Sequence, residues 1–319
     1  MENLYTTIGA LEDLIEKDYI TRGERTRFID ALSMLESQGR LRKIQPKVPG
    51  FTELMSDDVF LKLLSEMPVF ASQLLCQPNP APENALLPPG RDIFVSKYIP
   101  HIEPVMHAHD HVEIACLYRG NCTLIFDEQS RALKPGDLCI IPPGARHYIM
   151  GTADAIALAI RVVPDTFDEI FWPLLSHKEL LSLFFRHTLY QSDAQSRHLM
   201  LRGDNLQELH YLIQNLAIEA NRINSYSNAC ARNFLAILLG KLLHAYGAAM
   251  EFTADDAPLK QDFDFSLLLQ YLQYNYKTAT LNSLAEIFHH DADALNDALK
   301  KKLGKDFDEV IESLLSKGR

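Results

Sequence analysis

The stretch HAHDHVEIACLYRGNCTLIFDEQSRALKPGDLCIIPPGARH, residues 107–147, decides how this chain is read. Taken as strand, it places His107, His109, His111 and Glu113 at odd positions, and side chains two apart along a strand share one face. Three imidazoles and a carboxylate on one face are an unusual load. The turn Pro142-Pro143-Gly144 then delivers a further imidazole, His147. Divalent manganese, iron, nickel or zinc takes this mixture of nitrogen and oxygen donors. His107, His109, Glu113 and His147 are therefore candidate metal ligands, with His111 as a ligand-contacting or supporting group. The same five residues also suit the lining of a small-molecule pocket, or a cluster whose members hydrogen-bond one another. The residues leave these alternatives open.

Around this stretch, residues 92–163 read as strands. The runs 93–99, 112–118, 122–126, 138–141 and 156–163 are short and rich in β-branched or aromatic residues. Turn signals such as Arg119-Gly120-Asn121 and Pro135-Gly136-Asp137 separate them. Short strands with Gly/Pro turns and no intervening helix predict a small sandwich or barrel. Upstream, helical spacing over 3–39 sets Leu11, Leu14 and Ile15, then Phe28, Ile29, Leu32 and Leu35 on apolar faces, with Gly39 ending the second helix. A further helix is predicted over 56–66, capped by Ser56, with Val59, Phe60, Leu63 and Leu64 facing inward. Arg40, Arg42, Lys43 and Lys47 read as a solvated helix end. Prolines 78, 80, 82, 88 and 89 predict a linker over 77–90.

Downstream, apolar residues recur at helical spacing over 167–175, 178–185 and 206–220. The segment 229–246 is so apolar that it must pack against protein, either a second subunit or its own domain. A linker over 252–264 leads to helices at 265–274, 281–289 with Thr280 as cap, and 292–303 between Asp291 and Gly304. A last helix starts near 306. Two short helices across a tight turn make a helix-turn-helix pattern.

His107-x-His109-x3-Glu113-x6-Gly120, followed by Gly136-x5-Pro142-x-Gly144-x2-His147, resembles the paired motifs of the cupin family. His101 and Gly151 stand at motif ends where the family usually has Gly and Asn, and neither touches a ligand position. The resemblance implies a cupin barrel. It also implies that many cupin sensor domains of transcription regulators carry a similar strand without using a metal. The tail TLNSLAEIFHHDADALNDALKKKLGKDFDEVI is similar to the first helix-turn-helix of AraC-type regulators, through Leu284-Ala285, Phe288, Asp291, Leu295, Lys300-Lys301, Gly304-Lys305 and Phe307. The helices over 171–246 look like the dimerising block of that family. The resemblance spans residues 90–319. It implies an effector in the barrel, a homodimer through 166–255, and DNA contacts from Asn296, Lys300, Lys301 and Lys305. One helix-turn-helix unit stands where the family has two. Asp293 and Asp297 occupy recognition-helix positions where members often carry donors, and carboxylates near phosphates weaken binding.

The whole chain fits an α+β class. The expected units are N-terminal helices (1–75), a cupin-type barrel sensor (90–165), a helical dimerisation block (166–255) and a single helix-turn-helix (262–319). The net charge of −11 leaves DNA contact to a local basic patch. Five cysteines at scattered spacing read as free thiols in a reducing compartment. No leader-like segment and no apolar span of membrane length is present, so the expected location is the cytoplasm. The expected function is a ligand-responsive transcription regulator rather than an enzyme. Two alternatives stand beside it: an interaction protein that no longer binds DNA, and a metal-dependent cupin enzyme.

Overall fold

The structure is a computed structural model and describes residues 4–48, 55–75, 90–127, 129–175, 179–191, 198–201, 206–245, 265–288 and 290–317. The linkers expected at 77–89 and 252–264 lie outside these residues.

Strand β1 (Tyr5–Thr7) leads straight into α1 (Ile8–Arg22), where Thr7 Oγ1 accepts the Ala10 N–H at 3.2 Å. Helix α2 (Phe28–Ser37) stops as expected at Gly39, whose φ of 64° lets the Arg40 N–H reach back to the Leu35 carbonyl at 2.9 Å. Helix α3 (Asp57–Ser65) buries Phe60, Leu63 and Leu64, but Val59, expected on that face, points outward. Strand β2 (Pro68–Phe70) pairs antiparallel with β1, and α4 (Ala71–Leu75) follows.

The strand-rich region comprises β3 (Ile93–Lys97), β4 (Val112–Arg119), β5 (Cys122–Phe126), β6 (Ser130–Leu133), β7 (Leu138–Ile141), β8 (His147–Gly151) and β9 (Ile156–Val162). Helices α5 (Pro164–Leu174) and α6 (Glu179–Arg186), a π-helical turn (His187–Gln191) and the short strand β10 (Leu199–Leu201) come next. One antiparallel sheet runs β10-β7-β4-β9-β3 and the other β6-β5-β8. Along β4 the alternation is strict. Val112, Ile114, Cys116 and Tyr118 join the core shared with the helices, while Ala115 and Leu117 join Leu124, Phe126, Cys139 and Ile141 between the sheets. Burial on both faces explains why β4, β7 and β9 read as continuous apolar runs. Cys116, Cys122 and Cys139 are free, buried thiols, as expected.

Helices α7 (Leu206–Asn221) and α8 (Ser227–Ala245) cover the outer face of the large sheet. Side-chain amides bond across this seam. Asn221 Nδ2 donates to the Val95 carbonyl at 2.8 Å, and Gln214 Nε2 donates to the Tyr118 hydroxyl at 2.9 Å. The apolar surface of α8 is used within the chain, since Leu235, Leu238, Leu239, Leu242 and Leu243 are all buried. Ile237 is its exposed apolar residue. The tail consists of α9 (Phe265–Asn275), α10 (Leu281–Phe288), α11 (Ala292–Leu303) and α12 (Phe307–Lys317). Thr280 Oγ1 caps the Ser283 N–H at 3.1 Å and Asp291 Oδ1 caps the Ala294 N–H at 3.1 Å, both as expected. Among the described residues no helix is long and apolar enough to cross a membrane.

Gly120 closes the β4–β5 turn at φ 83°, and a Cβ there would sit 2.7 Å from the Ala155 Cα. Gly23 has a similar φ of 73° but open space around it. Gly120→Ala is expected to lower unfolding free energy by about 1–3 kcal/mol, and by clearly more than Gly23→Ala. Urea titration of both variants checks this. Equal losses would show that the contact with Ala155 is irrelevant.

Candidate metal and ligand site

The expectation that one strand face carries His107, His109, His111 and Glu113 is corrected in part. Regular strand begins only at Val112, so among these four just Glu113 is placed by strand alternation. Residues 107–111 are irregular. They are tied to the neighbouring turn by backbone bonds: His107 N–H to the His147 carbonyl at 3.1 Å, its reciprocal at 2.9 Å, and Gly144 N–H to the His109 carbonyl at 2.9 Å. The loop still converges on the expected chemistry. Ligand atoms of His109, Glu113 and His147 lie within 4.8 Å of one another, and all three residues are buried. His107 stands beside them, its ring centroid 4.6 Å from that of His147. His111 lies outside the trio and stacks on His109 at 4.0 Å.

The orientation of the rings is set by the main chain. His107 Nδ1 lies 2.8 Å from the Val105 carbonyl, His109 Nδ1 2.7 Å from the His111 carbonyl, and His147 Nδ1 3.1 Å from the Ala145 carbonyl. A carbonyl only accepts, so each Nδ1 carries the proton and a neutral ring keeps its lone pair on Nε2. Burial, reinforced by neighbouring imidazoles, pushes His107 and His109 down to about 4. Burial pushes His111 further, to about 2. The rings are therefore neutral at physiological pH. The His109 Nε2 has no hydrogen-bond partner among the described residues and lies 3.8 Å from Glu113 Oε2, while His147 Nε2 lies 3.5 Å from Glu113 Oε1. The His109 and His147 imidazoles and the Glu113 carboxylate, with ligand atoms within 4.8 Å of one another, fit a divalent transition metal.

Two residues of the site escape sequence reasoning. The Tyr98 hydroxyl donates to Glu113 Oε1. Arg161, directly across from Glu113 in the β4–β9 register, is 4% exposed and places Nε 3.7 Å from Glu113 Oε2. Its Nη1 donates to the Ser96 hydroxyl. The available signal was a single charge inside the otherwise apolar run of β9. Burial alone would raise the Glu113 carboxyl. The neighbouring His147 and Arg161 side chains outweigh burial and hold it well below the usual carboxylate range.

Above this floor lies a cavity of about 410 Å³. Its floor is Glu113, Arg161 and His107; Ile8, Phe28, Ile29 and Val69 wall it from the N-terminal helices and β2. Tyr148 also lines it. The segment between β3 and β4 forms the rim. It is held to the N-terminal segment by the Lys97–Glu12 ion pair, by Tyr19 stacked on His101 at 4.1 Å, and by a backbone bridge from Thr26 to Ile102. His101, where the motif usually has Gly, is the one described non-glycine residue at positive φ, 61°.

The candidate DNA-contacting residues lie on or just beyond α11, and several are engaged within the tail. Asn296 Oδ1 accepts the Phe307 N–H at 2.8 Å and so caps α12. Lys305 Nζ donates to the Ser313 hydroxyl at 2.6 Å, and Lys300 Nζ is 3.9 Å from Asp306. Lys300 and Lys301 are exposed, as are Asp293 and Asp297 on the same helix.

Residues 94–162 match the family model for the cupin domain. No curated protein sequence matches the chain. Among solved structures the chain resembles ToxT from Vibrio cholerae, with 13% identity and a TM-score of 0.33, covering 70% of this chain and 80% of ToxT. It also resembles the AraC-like transcriptional activator CuxR, at 13% identity and a TM-score of 0.28, covering 66% and 67% of the two chains. An oxalate decarboxylase aligns at 20% identity and a TM-score of 0.20 over 31% of this chain. TM-scores this low assign no function. The chain thus holds a cupin domain within an α+β fold, with low-identity likeness to AraC-like regulators.

Because the folded-state imidazoles sit near 4 and free imidazole near 6.5, the unfolded chain binds more protons between those values. Stability of the metal-free protein is expected to fall as pH drops from about 6.5 toward 4. His109→Gln, which cannot take up a proton, should flatten that slope. Urea midpoints at pH 7 and pH 5 report it, and a midpoint independent of pH in the parent protein would contradict the assigned neutral rings.

Proposed function

We propose that this chain is a ligand-responsive transcription regulator of the AraC type. In this reading the cupin cavity senses a small molecule rather than transforming one. The observation that carries it is the cavity itself: a mostly apolar chamber over a preset polar floor, in the same chain as a capped helix-turn-helix. A few convergent polar groups in an apolar chamber are what a specific small-molecule site requires. A divalent transition metal would be held by His109, Glu113 and His147, with His107 adjacent, and would supply a Lewis-acidic point at the floor. DNA contact would come from Lys300 and Lys301, with Lys305 and Asn296 bracing the α11–α12 junction. Pairing of two chains would use the 166–255 helices, around the exposed Ile237 of α8.

A second reading has its own support. Asp293 and Asp297 are exposed beside Lys300 and Lys301, so the outer face of α11 is electrostatically mixed. That favours a tail which pairs with another protein instead of with DNA.

Two measurements test these readings. Elemental analysis is expected to find about one transition metal per chain, lost in His109→Ala; protein that takes up none when metal is offered would reject the metal site. A mobility-shift assay on the protein's own promoter fragment should show binding that weakens steeply with salt and drops at least about ten-fold in Lys300→Glu/Lys301→Glu. No shift at low salt would favour the protein-pairing reading.

A further inference from the structure

Glu113 is the one carboxylate that the described residues place on the cavity floor, and Arg161 and two imidazoles flank it. Arg161 lies on one side, its Nε 3.7 Å from Oε2. The Nε2 atoms of His109 and His147 lie on the other, 3.8 and 3.5 Å from its two oxygens. Both the Arg161 Nε and the Glu113 Oε2 lack a hydrogen-bond partner among the described residues. The carboxylate is 1% exposed and the guanidinium side chain 5%, so water does not compensate either of them. The other charges at the cavity are already matched: Lys97 pairs with Glu12, and Arg27 pairs with Asp30 and lies near Glu103.

We infer that Arg161 is the ligand-anchoring residue of this cavity, that it takes the oxyanion of an organic acid with an apolar body, and that this binding is coupled to metal binding through Glu113. The inference rests on the metal reading of His109, Glu113 and His147 given above. A cation held by those residues draws on the charge of Glu113 and leaves Arg161 as a buried guanidinium short of a counter-ion. A ligand carboxylate restores it, because the planar guanidinium presents paired donors that match two oxygens. The remaining walls, including Ile8, Phe28, Ile29, Ile99, Ile102 and Ile149, favour an apolar body behind that acid group. Linkage is reciprocal, so the anion also tightens metal binding.

The test uses the full chain, metal-loaded and chelator-treated, titrated calorimetrically with octanoate and with its uncharged counterpart 1-octanol. Octanoate is expected to bind at least about ten-fold more tightly to the metal-loaded form, within the usual range of coupling between sites. For 1-octanol the two forms should differ less than about two-fold. Arg161→Gln should abolish the preference for octanoate while still holding about one metal per chain. Arg161→Lys, which keeps the charge but not the planar fork, should retain part of it. Equal octanoate affinity with and without metal, or stronger binding of 1-octanol, overturns the inference in the parent protein alone, whatever the variants do. Metal uptake without linkage to octanoate overturns the inference and leaves the metal site standing. Absence of metal uptake overturns both.

Discussion

Glu113 is an ionised carboxylate buried between two β-sheets, and the interior of the cupin domain is arranged around that fact. An unpaired charge in such a place would neutralise or unfold the structure. Here its partners arrive from separate elements. Tyr98 comes from the end of β3, Arg161 from β9, His147 from the start of β8, and His109 from the loop before β4. Each element must be in register for the carboxylate to be satisfied, so the site and the fold specify each other.

The backbone does the finer positioning. The carbonyls of Val105, His111 and Ala145 each engage an Nδ1, which fixes three rings and leaves the Nε2 atoms of His109 and His147 facing Glu113. Behind them the large sheet is buried on both faces, against the smaller sheet and against α7 and α8. The opposite wall is different in kind. It belongs to the N-terminal helices, tied to the rim by an ion pair, a ring stack and a backbone bridge. A molecule filling the cavity therefore touches the cupin core and the N-terminal segment together.

Much of this was legible in the residues. The short β-branched and aromatic runs between Gly/Pro turns announced the strands of a small sandwich or barrel, and Thr280, Asp291 and Gly304 marked the ends of the tail helices through local capping chemistry. What failed, failed for physical reasons. Strand alternation was extended to 107–111, where the backbone follows the neighbouring turn instead of a regular ladder. Short β8 and β10 carry too few residues for a period to show. Arg161 and Tyr98 depend on cross-strand register, which single-chain spacing does not encode. Asn296 has the chemistry of a base-reading side chain, but its position next to α12 makes it a cap. The N-terminal helices were visible as helices, yet their contact with the cavity is a long-range relation that no local pattern carries.

The central claim is that the chain itself, without any bound group, presents imidazole lone pairs beside the buried Glu113. Long-range proton–nitrogen correlation spectra of the metal-free protein at pH 7, assigned with His107→Gln, His109→Gln and His147→Gln, test it directly. The account requires neutral rings at His107 and His109 and the proton on Nδ1 at both. A neutral ring there with its proton on Nε2, or a charged imidazolium at His107 or His109, would contradict it.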